Sequence, residues 1–158
     1  MYITSEVCLR KKAEVTDKLA ESTLTTLKRI EGYKFRAEFD AGGLPDLVVD
    51  ELKPIGEGAA PNPTRLLSVA VGHCLSSSLL YCLAKARIRV INLETKIKTT
   101  SERNEEGYLR IKNLYIQMNL DVDEKNKTRV SRCLDIFENY CTVTQSVRKG
   151  IAVTVDVR

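Results

Sequence analysis

The sequence predicts an α+β domain, on three observations. Segments of alternating apolar and polar residues lie on both sides of one long uncharged run. That run has the length of a helix, and no strand–helix–strand repeat accompanies it. The order read along the chain is three strands, one helix, two strands, two helices and a last strand, β(3)-α-β(2)-α(2)-β. At 158 residues, 43% apolar and 29% charged, the chain has room for one domain with a real core. It is therefore read as a single domain over residues 1–158, with residues 1–20 as an N-terminal extension.

Each element has its own signal. Residues 13–30 carry a sparse helical pattern, but Thr23, Thr25 and Thr26 are β-branched, which favours a strand over Glu21–Ile30. Tyr33, Phe35, Ala37 and Phe39 alternate with Lys34, Arg36 and Glu38, the pattern of a half-buried strand. A turn at Ala41–Pro45 leads to a short strand at Leu47–Asp50, and three strands on short turns make an antiparallel meander. A loop with two glycines and three prolines, Lys53–Pro63, precedes nineteen uncharged residues, Leu66–Ala84. That run meets the length test for a membrane span. Its internal Ser, Gly and His residues, and the strands on either side, point instead to a core helix that a second subunit must help to cover. Leu93, Thr95, Ile97 and Thr99 alternate before the hairpin loop Arg103–Gly107, and Leu114, Ile116, Met118, Leu120 and Val122 alternate after it. Asp123 is placed to cap a helix with the stripe Val130, Cys133, Leu134, Phe137 and Cys141. Residues 142–149 read as its continuation or a second helix, and Ile151, Val153, Val155 and Val157 as a final strand.

Charge excludes more than it selects. The formal +4 comes from 25 basic and 21 acidic side chains scattered along the chain, with no Trp and 6% aromatics. Neither a basic patch nor a base-stacking surface is indicated, so no nucleic-acid partner is expected. Five cysteines, an odd number, show no two-residue spacing, and the N-terminus MYITSEVCLRKK has no apolar leader region. The expectation is a reducing cytoplasm and thiols that are either packed or chemically useful. Cys82 and Cys133 fall on apolar stripes and read as packing residues. Cys74 in mid-helix would ordinarily be inert, whereas Cys141 ends an amphipathic helix, where it can move or meet another thiol.

The stretch GEGAAPNPTRLLSVAVGHCLSSSLLYCLAK, residues 56–85, resembles the signature of the OsmC/Ohr family, the osmotically induced and organic hydroperoxide resistance proteins. A Gly- and Pro-containing loop ends in Asn-Pro, and a long apolar helix follows with a cysteine at its middle. The second family mark is a cysteine after an amphipathic helix, here in Asn139-Tyr-Cys-Thr-Val143. The resemblance implies an OsmC-like intertwined homodimer with the apolar helices at its centre, and a thiol peroxidase acting on organic hydroperoxides without a cofactor. Cys74 would be the peroxidatic residue and Cys141 the resolving one, joined in a disulfide that an external dithiol reduces. Two positions depart from the family pattern. Thr64 stands where many members have a Glu that orients an arginine, and Thr142 stands in place of the Cys-Pro-Val proline. Arg36 is a candidate for that arginine only by lying on the second strand, where a charge normally faces water. These departures mark a divergent member and support an alternative, a non-catalytic dimer that binds an apolar ligand or partner in the same cleft.

Other chemistry is weakly supported. His73 precedes Cys74 and points about 100° away on a helix, so a packed or capping role is expected. Cys74, Cys141, His73 and Cys133 lack any local zinc-ligand spacing. Asp121-Val-Asp123 opens like a calcium loop, but Asn126 and Arg132 occupy the required Gly and Glu positions. Ser76–Ser78 cannot form a triad with a histidine at His73, the sole one in the chain.

Overall fold

The computed structural model describes residues 22–157. The N-terminal extension and the start of the strand expected from Glu21 lie outside the described residues. The chain clusters into two compact units that meet in sequence at Ala60 and Pro61.

The first unit is the expected meander. Strands β1 (Thr25–Glu31), β2 (Lys34–Phe39) and β3 (Leu47–Val49) pair antiparallel in the order β1-β2-β3. The alternation sets its faces: Ala37 is buried and Phe35 half-buried, while Arg36 between them is exposed and faces Asp46 at 3.8 Å. Gly32, with φ of +47°, opens the two-residue turn between β1 and β2, where a left-handed backbone favours glycine. After β3, buried Asp50 organises the loop by accepting from the amides of Glu51 (2.8 Å), Glu57 (3.2 Å) and Ala59 (3.1 Å). Those amides, Ala59's first, hold its carboxyl below the ordinary carboxylate value.

The second unit is built on α1 (Pro63–Lys85), as the uncharged run predicts. Asn62 caps it, its side-chain oxygen accepting from the Arg65 amide at 3.2 Å, and Pro63 takes the first helical position. The other end closes in a Schellman arrangement. The Ile88 amide reaches the Leu83 carbonyl (2.9 Å), the Arg87 amide reaches that of Ala84 (3.0 Å), and Arg87 itself has φ of +56°. Strands β4 (Val90–Arg103) and β5 (Leu109–Val122) form an antiparallel hairpin whose inner residues lie against α1.

The contact between α1 and β4 follows from matching periods. Ser68 meets Thr99 (Oγ–Oγ1, 2.7 Å) and Ser76 meets Thr95 (2.8 Å), with Gly72 midway against Ile97. Four residues of helix and two of strand each advance roughly 6 to 7 Å, so every fourth helical position meets every second strand position. A Cβ on Gly72 would come within 2.6 Å of Ile97 Cδ1. Small residues on the helix and β-branched residues on the strand thus set the distance of approach.

Beyond β5 the structure departs from the single amphipathic helix expected there. A 3-10 segment (Glu124–Arg129), a short helix α2 (Ser131–Ile136) and a second 3-10 segment (Phe137–Tyr140) lead to α3 (Thr142–Lys149). Asp123 makes no side-chain cap, and Asn126, Lys127 and Thr128 include two poor helix formers that suit tight turns better. Val130, Cys133, Phe137 and Cys141 are buried, but Leu134 is about half exposed because the tighter 3-10 turns rotate the stripe away from ideal helical phase. From α1, Val71, Leu75, Leu79 and Leu83 complete this core at four-residue spacing. Residues 151–157 form no strand with any described part of the chain, although their alternation predicts one, and Val153, Val155 and Val157 are exposed.

Candidate thiol site

The site lies where α1 meets the N-terminus of α3. Cys74, half-buried on α1, lies near enough to Cys141, the fully buried residue that begins α3, for each thiol to shift the acidity of the other. Cys141 has extended backbone (φ −81°, ψ 97°), which breaks the chain between the second 3-10 segment and α3 and turns its side chain back onto the helix end. Its sulfur donates to Thr144 Oγ1 (2.9 Å) and accepts from the Thr144 amide (3.4 Å), the geometry of a helix cap with sulfur in place of oxygen. The amides of Val143 and Thr142 point at Cys74 from the same helix end.

This environment splits the acidity of the two thiols. Burial pushes the Cys74 thiol up, and its interaction with Cys141 pushes further, against the pull of the Val143 and Thr142 amides. Burial acts on Cys141 in the same sense. There it is outweighed by the interactions with Cys74, with the Thr144 side chain and amide, and with the Val143 amide, which favour its charged form, so Cys141 falls below the ordinary thiol value. A helix N-terminus is a recognised setting for an acidic cysteine, because its free amides and dipole favour negative charge. The arrangement sets the more acidic thiol, Cys141, beside the less acidic one, Cys74. Sequence reasoning missed Thr144, although a hydroxyl residue three positions after a helix-starting cysteine is a legible capping signal.

The remaining candidates separate from this pair. His73 is exposed on α1 rather than packed or capping, since it lies on the side of the helix away from the core. Arg36 pairs with Asp46 within the first unit. Tyr81, one heptad beyond Cys74, meets Tyr140 edge to face at 6.4 Å, and the Lys85 ammonium stands 5.4 Å from the Tyr81 ring centre. Cys82 and Cys133 are not merely embedded among apolar side chains: their sulfurs are 2.6 Å apart. Among the described residues, no three His, Cys, Asp or Glu side chains converge as a metal set. A cavity of about 230 Å³ in the first unit is lined by Tyr33, Lys34, Ile55 and Glu57 among others, but Glu31 (2.9 Å) and Glu57 (3.0 Å) already neutralise Lys34 there.

The family model described as OsmC-like protein matches residues 56–156, a span holding the whole of the second unit's thiol site. The chain belongs to the OsmC-like family. An Escherichia coli K12 protein, YhfA, is 28% identical over 96 residues, covering 60% of this chain and 70% of its own. Among OsmC-like folds, a Mycoplasma pneumoniae protein superposes with a TM-score of 0.69 at 13% identity, covering 82% of this chain and 89% of its own. A Legionella pneumophila OsmC described as an organic hydroperoxide resistance protein gives 0.61 at 16% identity, covering 81% and 90%. At such identities these structures establish a shared OsmC-like α+β fold.

Proposed function

We propose that this OsmC-like protein is a thiol peroxidase that reduces organic hydroperoxides, with Cys74 peroxidatic and Cys141 resolving. The observation that carries the reading is the nearness of these two thiols at the N-terminus of α3, close enough for each to shift the acidity of the other, on residues inside the family match. The substrate class is supported by the Legionella OsmC, an organic hydroperoxide resistance protein.

Access supports Cys74 as the attacking residue, and acidity supports Cys141 as its base. Cys74 is the more exposed sulfur and the one a peroxide reaches, while Cys141 is the more acidic and fully buried. The Cys141 thiolate takes the Cys74 proton, and the Cys74 thiolate attacks one oxygen of the O–O bond. The O–O bond breaks, Cys74 becomes a sulfenic acid, and the departing alkoxide takes the proton from Cys141 to leave as an alcohol. The regenerated Cys141 thiolate then attacks the Cys74 sulfur and expels hydroxide, which leaves as water after protonation. A Cys74–Cys141 disulfide remains, and an external dithiol reduces it by exchange. Tyr81 and Tyr140 offer an apolar wall for the alkyl group.

The helix-end amides do part of the work that the family assigns to a Glu–Arg pair, which Thr64 leaves incomplete. A homodimer is part of the proposal, since α1 exposes Val69, Leu80 and Tyr81 in the single chain. One observation favours the alternative, an apolar-ligand-binding dimer: burial raises the Cys74 thiol instead of lowering it. The deciding experiment is consumption of an alkyl hydroperoxide and of hydrogen peroxide under excess dithiol. Turnover that prefers the alkyl substrate and yields a Cys74–Cys141 linked peptide supports the enzyme. Consumption no faster than that of free cysteine assigns the binding role.

A further inference from the structure

The peroxidase reading leaves two thiols, Cys82 and Cys133, unused, and they meet where α1 packs against α2. Cys82 lies eight residues after Cys74, and Cys133 lies eight residues before Cys141. The two stretches of chain therefore face each other in antiparallel order, with Cys74 against Cys141 on one rung and Cys82 against Cys133 on the other. On the second rung the sulfurs are 2.6 Å apart, although the residues are 51 apart in sequence. Two sulfurs at that separation reach bonding distance by an approach of about half an ångström. Simple core packing does not require such an approach, since two methyl-sized groups would sit farther apart.

The environment gives the pair an order of attack. Cys82 is half-buried and Cys133 buried, so a dissolved oxidant meets Cys82 first. Burial, and the hydrogen bond from Cys82, hold the Cys133 thiol up at about 11. Cys133 is thus protected as a free thiol and reacts only with a neighbour already activated.

We propose that Cys82 and Cys133 are a second redox-active pair, closing to a disulfide that staples α1 to α2 independently of Cys74 and Cys141. The oxidant is a low-molecular-weight disulfide. The Cys82 thiolate attacks one of its sulfurs, breaks the S–S bond and expels the first thiolate, giving a mixed disulfide on Cys82. Cys133 loses its proton and attacks the Cys82 sulfur, expelling the second thiolate. Two protein thiols are oxidised, one small disulfide is reduced to two thiols, and the protons lost by the protein end on them. The staple holds the segment that carries Tyr140 and Cys141 against α1, so it restrains the same helix end that builds the candidate thiol site.

The test uses the full chain as Cys8→Ser/Cys74→Ser/Cys141→Ser, in which only the proposed pair remains, treated with oxidised glutathione under native conditions. The expected product is a single chain lighter by two hydrogens, with a linked Cys82–Cys133 peptide, no retained glutathione, and reversal by dithiothreitol. Its melting temperature should exceed that of the reduced variant by about 5 °C or more. A stable glutathione adduct on Cys82 that never closes, a disulfide between two chains, or thiols that react only after denaturation would overturn the proposal. Wild-type protein given the same treatment and mapped by mass spectrometry decides the matter if the variant does not fold: a Cys82–Cys133 peptide supports the pair, and its absence overturns it. Because the variant lacks both Cys74 and Cys141, its result stands apart from the outcome of the peroxidase assay.

Discussion

At the residue scale the sharpest consequence is a division of labour between Cys74 and Cys141. Cys74→Ser is expected to abolish peroxide turnover. Cys141→Ser should consume one equivalent and stall at a Cys74 sulfenic acid that excess peroxide over-oxidises, as peptide mass spectrometry would register. The pH dependence separates activation by Cys141 from intrinsic reactivity of Cys74. With Cys141 as base, the wild-type rate should rise through an ionisation below the ordinary thiol value, since that is the direction in which Thr144 and the α3 amides move it. In Cys141→Ser the thiolate acceptor is gone, and the single-turnover rate should rise only at more alkaline pH, following the raised Cys74 thiol. Superimposable profiles for the two proteins would remove Cys141 from the activation step. The positions of these cysteines were legible because an Asn-Pro loop before an uncharged helix is a distinctive run. Their relative acidity was not, since Cys74 meets the α3 end only through the fold, although Thr144 beside Cys141 was a local signal.

At the scale of elements, the approach of α1 to β4 makes its own prediction. Gly72→Val should destabilise the protein by roughly 1–3 kcal/mol, because overpacking forces Ile97 out of its place. Ile97→Val removes the very carbon, Cδ1, that a Gly72 Cβ would strike, so Gly72→Ala should be tolerated better on that background than on the wild type. Denaturation midpoints of the four proteins in the cycle, and a coupling near zero, would count against this account of the contact. A second element-scale prediction concerns Asp50 in the first unit. Its native carboxyl lies below the ordinary 3.8, so the stability it contributes is whole above that value and is lost as pH falls through the native one. Asp50→Asn, which cannot accept all three amides, should lower stability at neutral pH and converge with wild type in acid, as thermal melts across pH would reveal. Strands read well from sequence because alternation is a local property, as Phe35 and Ala37 illustrate. The stretch from Asp123 to Tyr140 read poorly: its apolar stripe has helical spacing, yet 3-10 turns at Asn126–Thr128 and at the residues before Cys141 interrupt it.

At the scale of the whole molecule, a single chain leaves too much apolar surface in water. Val69 and Tyr81 on α1 are 63% and 56% exposed, and the alternating tail leaves Val153, Val155 and Val157 at 82%, 77% and 88%. Singly exposed apolar residues are ordinary, but an apolar helix face together with an exposed, alternating apolar tail is the kind of surface that an obligate partner covers. Residues 151–157 form no strand with the described residues, and a second copy would supply a partner for the alternating pattern. A homodimer is therefore expected in solution at micromolar concentration, with an interface on the order of 2,000 Å² or more. Val153→Lys/Val155→Lys places two charges on the tail without touching the thiol site, and it should shift the protein toward monomer while Cys74 and Cys141 remain neighbours within one chain. Light scattering and sedimentation of both proteins measure the shift. A wild-type protein that stays folded as a monomer would show that α1 and the tail need no second copy, and would withdraw the dimer from the proposed mechanism.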